Sequence, residues 1–330
     1  MLIGEAWGEQ EEREKRPFVG ASGRLLNSLL DIAGIPREEC YITNVFNLRP
    51  QPTNDVKNLC GPKSNAVPGY PPLAQGKYVR AEFKPELDRL EHEIKSVKPN
   101  LIVALGATPT WATLKLNGIK KYRGAPAMGI HGIKVLPTYH PAAIMRQYKL
   151  RPIVIADLQK AKRESEFPEI RRPMREIWVE PTIEDIIRFR DEYIVPSRQC
   201  TADIETIARM ITCISFAPSI DRAIVIPFFD ERKPSKNYWS TFEEEREAWN
   251  LVAQILGMPK KWAGQNFIYD MKFLWTEMGI TVPDMADDTM LLHHALQPEL
   301  EKGLAFLGTI YTDEAAWKLD RKTGTVKRED

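Results

Sequence analysis

The feature that most constrains the fold of this chain is the alternation of short apolar segments with helix-like segments through its first half. Segments typical of strands lie at 1–3, 41–45, 101–105 and 133–136, and residues with apolar side chains at helical spacing lie between them. Strands that alternate with helices predict a parallel sheet covered by helices on both faces. We therefore predict a three-layer α/β/α domain over residues 1–165.

The second half predicts a separate α/β domain, since 330 residues are enough for two hydrophobic cores. Residues 166–182 hold three prolines and mixed charge without clear periodicity, so we interpret 166–195 as a linker and connecting helix. We predict a domain with a mixed sheet over 196–330. Its strands are expected at 199–204, 209–217 and 222–229, followed by a helix at 241–257 and a strand with a helix at 261–279.

Composition excludes several classes of protein. The hydrophobic fraction of 43% and the charged fraction of 28% are typical of a folded chain rather than a disordered one. No apolar run approaches the roughly 18 residues that a membrane span needs, and the first residues lack the features of a signal peptide. The four cysteines lie far apart, which argues for a reducing compartment. We expect a cytoplasmic protein with no membrane partner.

Positive charge is concentrated in the first half. Residues 1–170 carry 25 Lys and Arg against 18 Asp and Glu, although the whole chain has a net charge of only +1. Residues 101–150 contain seven basic residues and no acidic one. Such a run is typical of a surface that contacts a nucleic-acid backbone. A solvated basic face gives the same pattern, so charge alone leaves both interpretations open.

Four short motifs of the first domain lie near predicted strand ends. They read GEAWG from Gly4, PFVG from Pro17, TNV from Thr43 and TYHPAA from Thr138. Because the carboxyl ends of parallel strands share one edge of a sheet, the loops that carry these motifs can converge on one crevice.

The side chains in these motifs suit a nucleobase turned out of a helix. The ring of Phe18 offers a stacking face, and the amide of Asn44 has the donor and the acceptor that match one edge of uracil. The imidazole of His140 can donate to a carbonyl oxygen that gains negative charge as a glycosidic bond breaks. The carboxylate of Glu5 can orient a water molecule or stabilise a positive sugar. Each residue alone is commonly structural; the four together predict a binding pocket.

In these motifs the chain resembles the uracil-DNA glycosylase superfamily, and most closely its family-4 bacterial and archaeal enzymes, over residues 1–165. The resemblance implies base flipping, hydrolysis of the N-glycosidic bond of uracil in single- or double-stranded DNA, and an abasic product. By position, it implies that Glu5, Asn44 and His140 are catalytic. It also implies that uracil is bound by Gly4, Phe18, Asn44 and His140.

The same resemblance predicts the DNA contact. The loop after His140, with Met145 and Arg146, would probe the duplex where the base has left. We add Lys120, Lys121 and Arg123 from the basic run as DNA-binding residues. Replication or repair proteins are further candidate partners.

Two departures from the family pattern bear on cofactor and substrate. Family-4 enzymes hold an iron–sulfur cluster with four cysteines, but two of these positions are Leu48 and Phe83 here, and no residue precedes Met1. Apolar side chains cannot bind iron, so we expect no cluster. Trp7 replaces the usual proline of the first motif, which brings bulk beside the pocket and affects the range of bases accepted.

The second half contains acidic residues at a spacing that suits metal-dependent phosphodiester hydrolysis. Asp203 and Glu205 lie two apart on a predicted strand and therefore share one face. Asp270 adds a third carboxylate in the first turn of a predicted helix. Such a set can hold two divalent ions about 3.5–4 Å apart, and Mg²⁺ or Mn²⁺ is the expected metal.

Over about 196–318 this half resembles the DEDD 3′–5′ exonuclease domains of family-A DNA polymerases, which have an RNase H-like fold. The third acidic motif of that family is not found, because the stretch from Tyr311 ends in Ala315 where an acid is expected. Either Asp313 or Glu314 substitutes, or the chain ends before the motif, or the domain binds DNA ends without cutting.

The leading hypothesis is therefore a DNA repair protein of a bacterium or phage, with a uracil-DNA glycosylase joined to an exonuclease-like domain. The alternative is a non-catalytic module that binds uracil or single-stranded DNA.

Overall fold

The computed structural model describes residues 1–282 and 287–314, which form two compact units. The first unit comprises Met1–Arg172 together with the segment that begins at Ala305, and the second unit is Pro173–Leu304. Within the described ranges, no helix has the length and apolar character needed to cross a membrane.

The first unit alternates strands and helices, as predicted. Its strands are β1 (Leu2–Ala6), β2 (Ile42–Phe46), β3 (Cys60–Gly61), β4 (Tyr78–Val79), β5 (Leu101–Leu105), β6 (Ala127–Met128) and β7 (Lys134–Thr138). Its helices are α1 (Glu9–Glu14), α2 (Ala21–Ala33), α3 (Lys84–Val97), α4 (Ala107–Leu114), α5 (Ile119–Tyr122), α6 (Pro141–Arg146) and α7 (Arg151–Glu164).

The main sheet of the first unit has the strand order β2-β1-β5-β7-β6. Its first four strands are parallel, and β6 runs antiparallel to β7. The carboxyl ends of β1, β2, β5 and β7 therefore lie at the same edge, which is where ligands bind in open α/β sheets.

Two apolar clusters cover the two faces of this sheet. Leu26 and Leu30 of α2 pack with Leu158 of α7 in one cluster. Leu90 of α3 packs with Trp111 of α4 in the other. The predicted arrangement of helices on both sides of a largely parallel sheet is confirmed for this unit.

The second unit has a mixed sheet with the strand order β13-β12-β9-β10-β11-β8. Its strands are β8 (Glu176–Trp178), β9 (Gln199–Ile207), β10 (Met210–Ala217), β11 (Arg222–Pro227), β12 (Lys261–Gly264) and β13 (Asp287–Asp288). Its helices are α8 (Ile183–Phe189), α9 (Phe242–Leu256), α10 (Phe267–Met278) and α11 (Thr289–Leu296). Strands β9, β10 and β11 are antiparallel neighbours, whereas β12 runs parallel to β9.

The predicted segment 166–195, a linker and connecting helix, does contain a helix, but from Pro173 onward it belongs to the second unit. Strand β8 pairs in parallel with β11, and Ile186 and Phe189 of α8 are buried in the core of the second unit. The sequence around this short strand, with three prolines and mixed charge, has no strand-like periodicity. The strand is stabilised by pairing with β11, which lies far away in the sequence, and so it could not be predicted locally.

The predicted extent of the second domain also differs from the structure. Helix α12 (Leu304–Tyr311) belongs to the first unit from Ala305 onward. The carboxylate of Asp313 lies 3.4 Å from the Arg163 guanidinium of that unit. Asp313 therefore belongs to the first unit, whereas Asp203, Glu205 and Asp270 belong to the second, and Ala315 lies outside the described residues.

Candidate active site

One cavity of about 480 Å³ lies where the parallel strands of the first unit end. Phe18, Asn44 and His140 line this cavity together with Glu5 and Trp7. Strands β1 and β2 and the turn after β7 bring them there from distant parts of the sequence. The structure thus assembles the side chains that the strand order predicted to converge.

Gly4 is buried and is not among the residues that line the cavity, but it lies against two of them, Asn44 and Phe18. A Cβ atom at this position would lie 2.2 Å from Oδ1 of Asn44 and 2.6 Å from two ring carbons of Phe18. Asn44 is only 2% exposed and Phe18 only 5% exposed, so either side chain could yield to that Cβ only by moving within the site. Glycine is therefore required here for the amide and the ring to approach each other.

The loop that carries Phe18 is held by a buried carboxylate. Glu11 accepts hydrogen bonds from the backbone N–H groups of Val19 at 3.0 Å and Gly20 at 2.8 Å. Phe18 itself adopts a left-handed backbone conformation with φ of 54°. A Cβ at Gly23 would lie 1.9 Å from the Phe18 carbonyl oxygen, so α2 packs directly on this backbone. Sequence reasoning missed Glu11, which stands among several acidic residues with nothing to distinguish it.

His140 faces Phe18 and is neutral. The two rings stack with their centroids 5.6 Å apart and an interplanar angle of 30°. Nδ1 of His140 accepts a hydrogen bond from the Ala142 backbone N–H at 3.2 Å, which places the ring proton on Nε2. Burial, and next the charge of Arg146, lower the pKa of His140 to about 4. At neutral pH the Nε2–H group is therefore available as an uncharged donor.

Glu5 is fixed by a threonine that sequence reasoning also missed. The hydroxyl of Thr108, near the start of α4, donates to Oε2 of Glu5 at 2.5 Å. Burial raises the pKa of Glu5, and the hydrogen bond from Thr108 opposes this rise. The carboxylate is thus both desolvated and oriented at the cavity wall.

Trp7 adds an indole ring to the cavity lining. Its backbone N–H donates to the Leu48 carbonyl at 3.1 Å, and the ammonium of Lys15 lies 5.2 Å from its ring. Among the residues that the structure describes, its buried indole N–H has no hydrogen-bond partner. The ring that replaces the family proline therefore brings an unsatisfied donor to this part of the site.

The predicted DNA-binding residues near the cavity are mostly exposed. Arg146 is exposed and lines the cavity, and Met145 beside it is 58% exposed. Lys120 on α5 is exposed, and Lys121 is half-buried. Tyr148, which sequence reasoning missed, is 73% exposed just after α6. Of these residues, Arg146 is the one that also lines the cavity.

The prediction that Arg123 contacts DNA is wrong. Its side chain is 1% exposed, and its Nε donates to the Asp157 carboxylate at 3.1 Å. Lys134, another member of the basic run, is buried and paired with Glu164 at 2.7 Å. Charge counting cannot separate such buried cations from exposed ones, because their acidic partners come from α7, beyond the run itself.

The second unit places two of its predicted carboxylates side by side. Asp203 and Glu205 are both exposed on β9, where alternate residues share a face. Asp270 of α10 is buried, and its Oδ1 accepts a hydrogen bond from the Ile204 backbone N–H at 3.0 Å. Burial raises the pKa of Asp270 to about 6, and the charge of Asp203 contributes to this rise.

These three carboxylates do not form the predicted metal site. Over residues 1–282 and 287–314, no three His, Cys, Asp or Glu side chains lie close enough to hold a metal ion. One reason is that the carboxylate of Asp270 is directed to the backbone of β9. Asp288, a further acid nearby, accepts from the backbone N–H groups of Asn266, Phe267 and Met290 and so caps helices.

Comparison with known proteins places the first unit in context. Residues 1–165 match the model of the "Uracil DNA glycosylase superfamily". A type-4 uracil-DNA glycosylase of Thermotoga maritima is 39% identical over 166 residues, which cover 49% of this chain and 75% of that protein. A type-4 uracil-DNA glycosylase of Saccharolobus solfataricus is 34% identical over 171 residues, which cover 49% of this chain and 69% of that protein. A DNA polymerase of Bacillus phage SP01 is 28% identical over 160 residues, which cover 48% of this chain and 15% of the polymerase.

Proposed function

Because the chain belongs to the uracil DNA glycosylase superfamily, we propose that its first unit removes uracil from DNA by hydrolysing the N-glycosidic bond and leaves an abasic site. The observation that carries this proposal is the placement of Phe18, Asn44 and His140 around one cavity. A volume of about 480 Å³ lies within the usual range for sites that enclose a small molecule.

The cavity binds the base through a ring and an amide. The face of Phe18 stacks on the everted pyrimidine, a contact that contributes about 1–3 kcal/mol per base on aromatic platforms. The amide of Asn44 pairs with the carbonyl and N–H edge of uracil, since it offers one acceptor and one donor group. Cytosine presents an amino group at this edge, so an amide held in the orientation that matches uracil discriminates against it.

The chemistry depends on His140 and Glu5. As the glycosidic bond breaks, negative charge develops on the uracil carbonyl oxygen, and the neutral imidazole donates its Nε2–H to that oxygen. The ionised carboxylate of Glu5 stabilises the positive charge on the sugar or orients the attacking water. Because both groups are fixed by hydrogen bonds before the substrate arrives, little reorganisation is needed during the reaction.

The proposal is tested with an oligonucleotide that contains one uracil. The protein is incubated with it, alkali is added to break abasic sites, and strand breaks are counted. A break at the uracil position is the expected result, and a thymine-containing strand serves as the control. Retention of the strand in a gel without breakage would support the alternative, a module that binds uracil and does not cleave.

We expect the pH profile of this reaction to respond to Thr108. Glu5 must be ionised to act, so activity falls as pH falls through its raised pKa. Replacing Thr108 with valine removes the hydrogen bond that lowers this pKa, and the acidic limb of kcat/KM therefore moves to higher pH. Since His140 has a pKa of about 4, it does not titrate at neutral pH.

A matched variant separates this effect from a general loss of structure. Thr113→Val makes the same change in the same helix, but the Thr113 hydroxyl donates to the Pro109 carbonyl and not to the site. Its pH profile should match that of the unchanged protein. Equal profiles for Thr108→Val and Thr113→Val would contradict the role assigned to Thr108.

Binding to DNA should weaken steeply with salt, because cations at the cavity mouth release counterions from the phosphates. Replacing Arg146 with alanine should weaken binding and reduce the slope of log affinity against log salt by about one. Lys98→Ala removes an exposed cation at the end of α3, outside the cavity lining, and should leave the slope unchanged. A slope that is the same in all three proteins would argue against a phosphate contact by Arg146.

We also propose that the glycosylase reaction needs no iron–sulfur cluster. Leu48 and Phe83 stand where the family has cysteines, and both pack against an apolar cluster of the first unit. The ring of Phe83 contacts that of Phe46, with centroids 6.5 Å apart. Iron measured on anaerobically purified protein tests this proposal, and one cluster per chain would overturn it.

Nuclease activity of the second unit is a second proposal. It is supported by the shared face of Asp203 and Glu205 and by the proximity of Asp270 to the same strand. The described residues do not form a group of three metal-ligating side chains, so digestion has to be tested against binding of DNA ends without cutting.

The nuclease proposal is tested by digestion of a 3′-labelled single strand with Mg²⁺ or Mn²⁺. Loss of digestion in Asp203→Ala, but not in a variant of the exposed Asp191, would locate the activity on β9. If the unchanged protein does not digest the strand, binding to the same strand tests whether this unit holds DNA ends without cutting.

A further inference from the structure

A buried polar cluster lies beside the turn that carries His140. Thr138 ends β7 two residues before His140, and its hydroxyl donates to Oδ2 of Asp157 at 2.6 Å. Arg123 donates to both oxygens of the same carboxylate, through Nε at 3.1 Å and through Nη2. Arg123 and Asp157 are each 1% exposed. The position of the strand end is therefore tied to the position of a buried guanidinium.

Thr138 is also tied to the loop on the other side of the imidazole. The carbonyl of Thr138 accepts from the Gly106 backbone N–H at 2.8 Å. A Cβ atom at Gly106 would lie 3.2 Å from Cβ of His140, so the backbone of this loop packs against the catalytic side chain. A shift of Thr138 would thus move two supports of His140 together.

The segment that follows the second unit completes this cluster. Nη1 of Arg123 donates to the hydroxyl of Thr309 at 2.8 Å. The buried ammonium of Lys160 donates to the carbonyls of Thr309 at 2.8 Å, Thr312 at 2.6 Å and Gly124 at 2.8 Å. Two cations buried in the first unit are therefore satisfied by groups that lie after the second unit in the sequence.

The Thr309 hydroxyl is held in the orientation that this contact needs. It donates to the Phe306 carbonyl at 2.8 Å, which leaves a lone pair for the guanidinium of Arg123. Gly124 allows the close approach, since a Cβ there would lie 3.1 Å from the Thr309 carbonyl oxygen and 2.7 Å from Asp157. The contact is thus closely packed as well as hydrogen-bonded.

We propose that Thr309 is a positioning residue for His140. Its hydroxyl accepts a hydrogen bond from Arg123 and so holds the guanidinium in place. The guanidinium holds the Asp157 carboxylate, and this carboxylate holds Thr138 and the turn after β7. The segment 305–312 is then part of the glycosylase machinery, and uracil release depends on residues beyond the 1–165 stretch that carries the family motifs. The catalytic part of this proposal rests on the proposed function.

The test uses full-length Thr309→Val, which keeps the side-chain shape and removes the hydroxyl. The rate is measured at a temperature where the variant is fully folded. We expect kcat for uracil release to fall about tenfold, because the Nε2–H donor of His140 is displaced. KM should stay unchanged, because the residues that bind the base keep their positions. Thr309→Ser restores the hydroxyl and should recover kcat. Thr276→Val is the control, since it makes the same change at an exposed hydroxyl that bonds to the Phe273 carbonyl within α10 of the second unit.

A second measurement does not depend on glycosylase activity. Amide hydrogen exchange over 138–147 should be faster in Thr309→Val than in the unchanged protein, and Thr276→Val should not change it. Unchanged kcat and unchanged exchange in Thr309→Val would overturn the proposal, as would equal losses in the two valine variants. If the unchanged protein released no uracil, the proposed function would fail, and the exchange rates would still decide whether Thr309 holds this turn.

Discussion

Replacing His140 with alanine is expected to lower kcat for uracil release about a hundredfold to a thousandfold, with little change in the affinity for uracil-containing DNA. The Nε2–H group gains most of its interaction energy as the uracil anion forms. An interaction that strengthens only in the transition state affects kcat and not ground-state binding. Multiple-turnover cleavage at saturating substrate gives kcat, single-turnover cleavage gives the rate constant of the chemical step, and titration with a strand carrying a non-cleavable uracil nucleotide gives the affinity.

The control for this variant is His92→Ala, which removes an exposed imidazole from α3. It should leave both cleavage and binding unchanged. Thermal unfolding of both variants checks that the fold is retained, since the Nδ1 contact to Ala142 is lost with the ring of His140. Equal losses in cleavage and binding for His140→Ala would contradict transition-state stabilisation by this residue.

Local sequence was sufficient to predict the convergence of the site. Glu5 and Asn44 lie in short apolar strands, and His140 follows a third such strand. Parallel pairing places the carboxyl ends of these strands at one edge of the sheet. The positions of the strand ends in the sequence were therefore enough to predict which side chains lie close together. The same reasoning works for Asp203 and Glu205, because alternation along a strand is a local property.

Residues that depend on a distant partner could not be predicted in this way. Arg123 belongs to a basic run, and only the fold shows that Asp157 and Thr309 surround it. Thr108 and Glu11 are essential supports of the cavity, yet each contacts a group that is recognised only when the loops are assembled. Pairing partners separated by long stretches of sequence leave no periodic signal.

Substitution of Gly4 by alanine is expected to reduce kcat/KM at least about a hundredfold, since a displacement of about 1 Å in a binding group can cost that much. The added Cβ would lie 2.2 Å from Oδ1 of Asn44 and 2.6 Å from the ring of Phe18. Both side chains are buried, so the amide and the stacking ring must shift together. Overpacking of this kind also costs about 1–3 kcal/mol of unfolding free energy.

The pattern of kinetic losses distinguishes Gly4→Ala from His140→Ala. Asn44 and Phe18 contact the base in the bound complex as well as in the transition state, so their displacement should raise KM and lower kcat, whereas loss of the imidazole should lower kcat alone. Gly303→Ala, which adds a methyl group into open space, is the matched control and should cleave normally. Normal KM and kcat in Gly4→Ala would mean that base binding does not depend on the positions of Asn44 and Phe18.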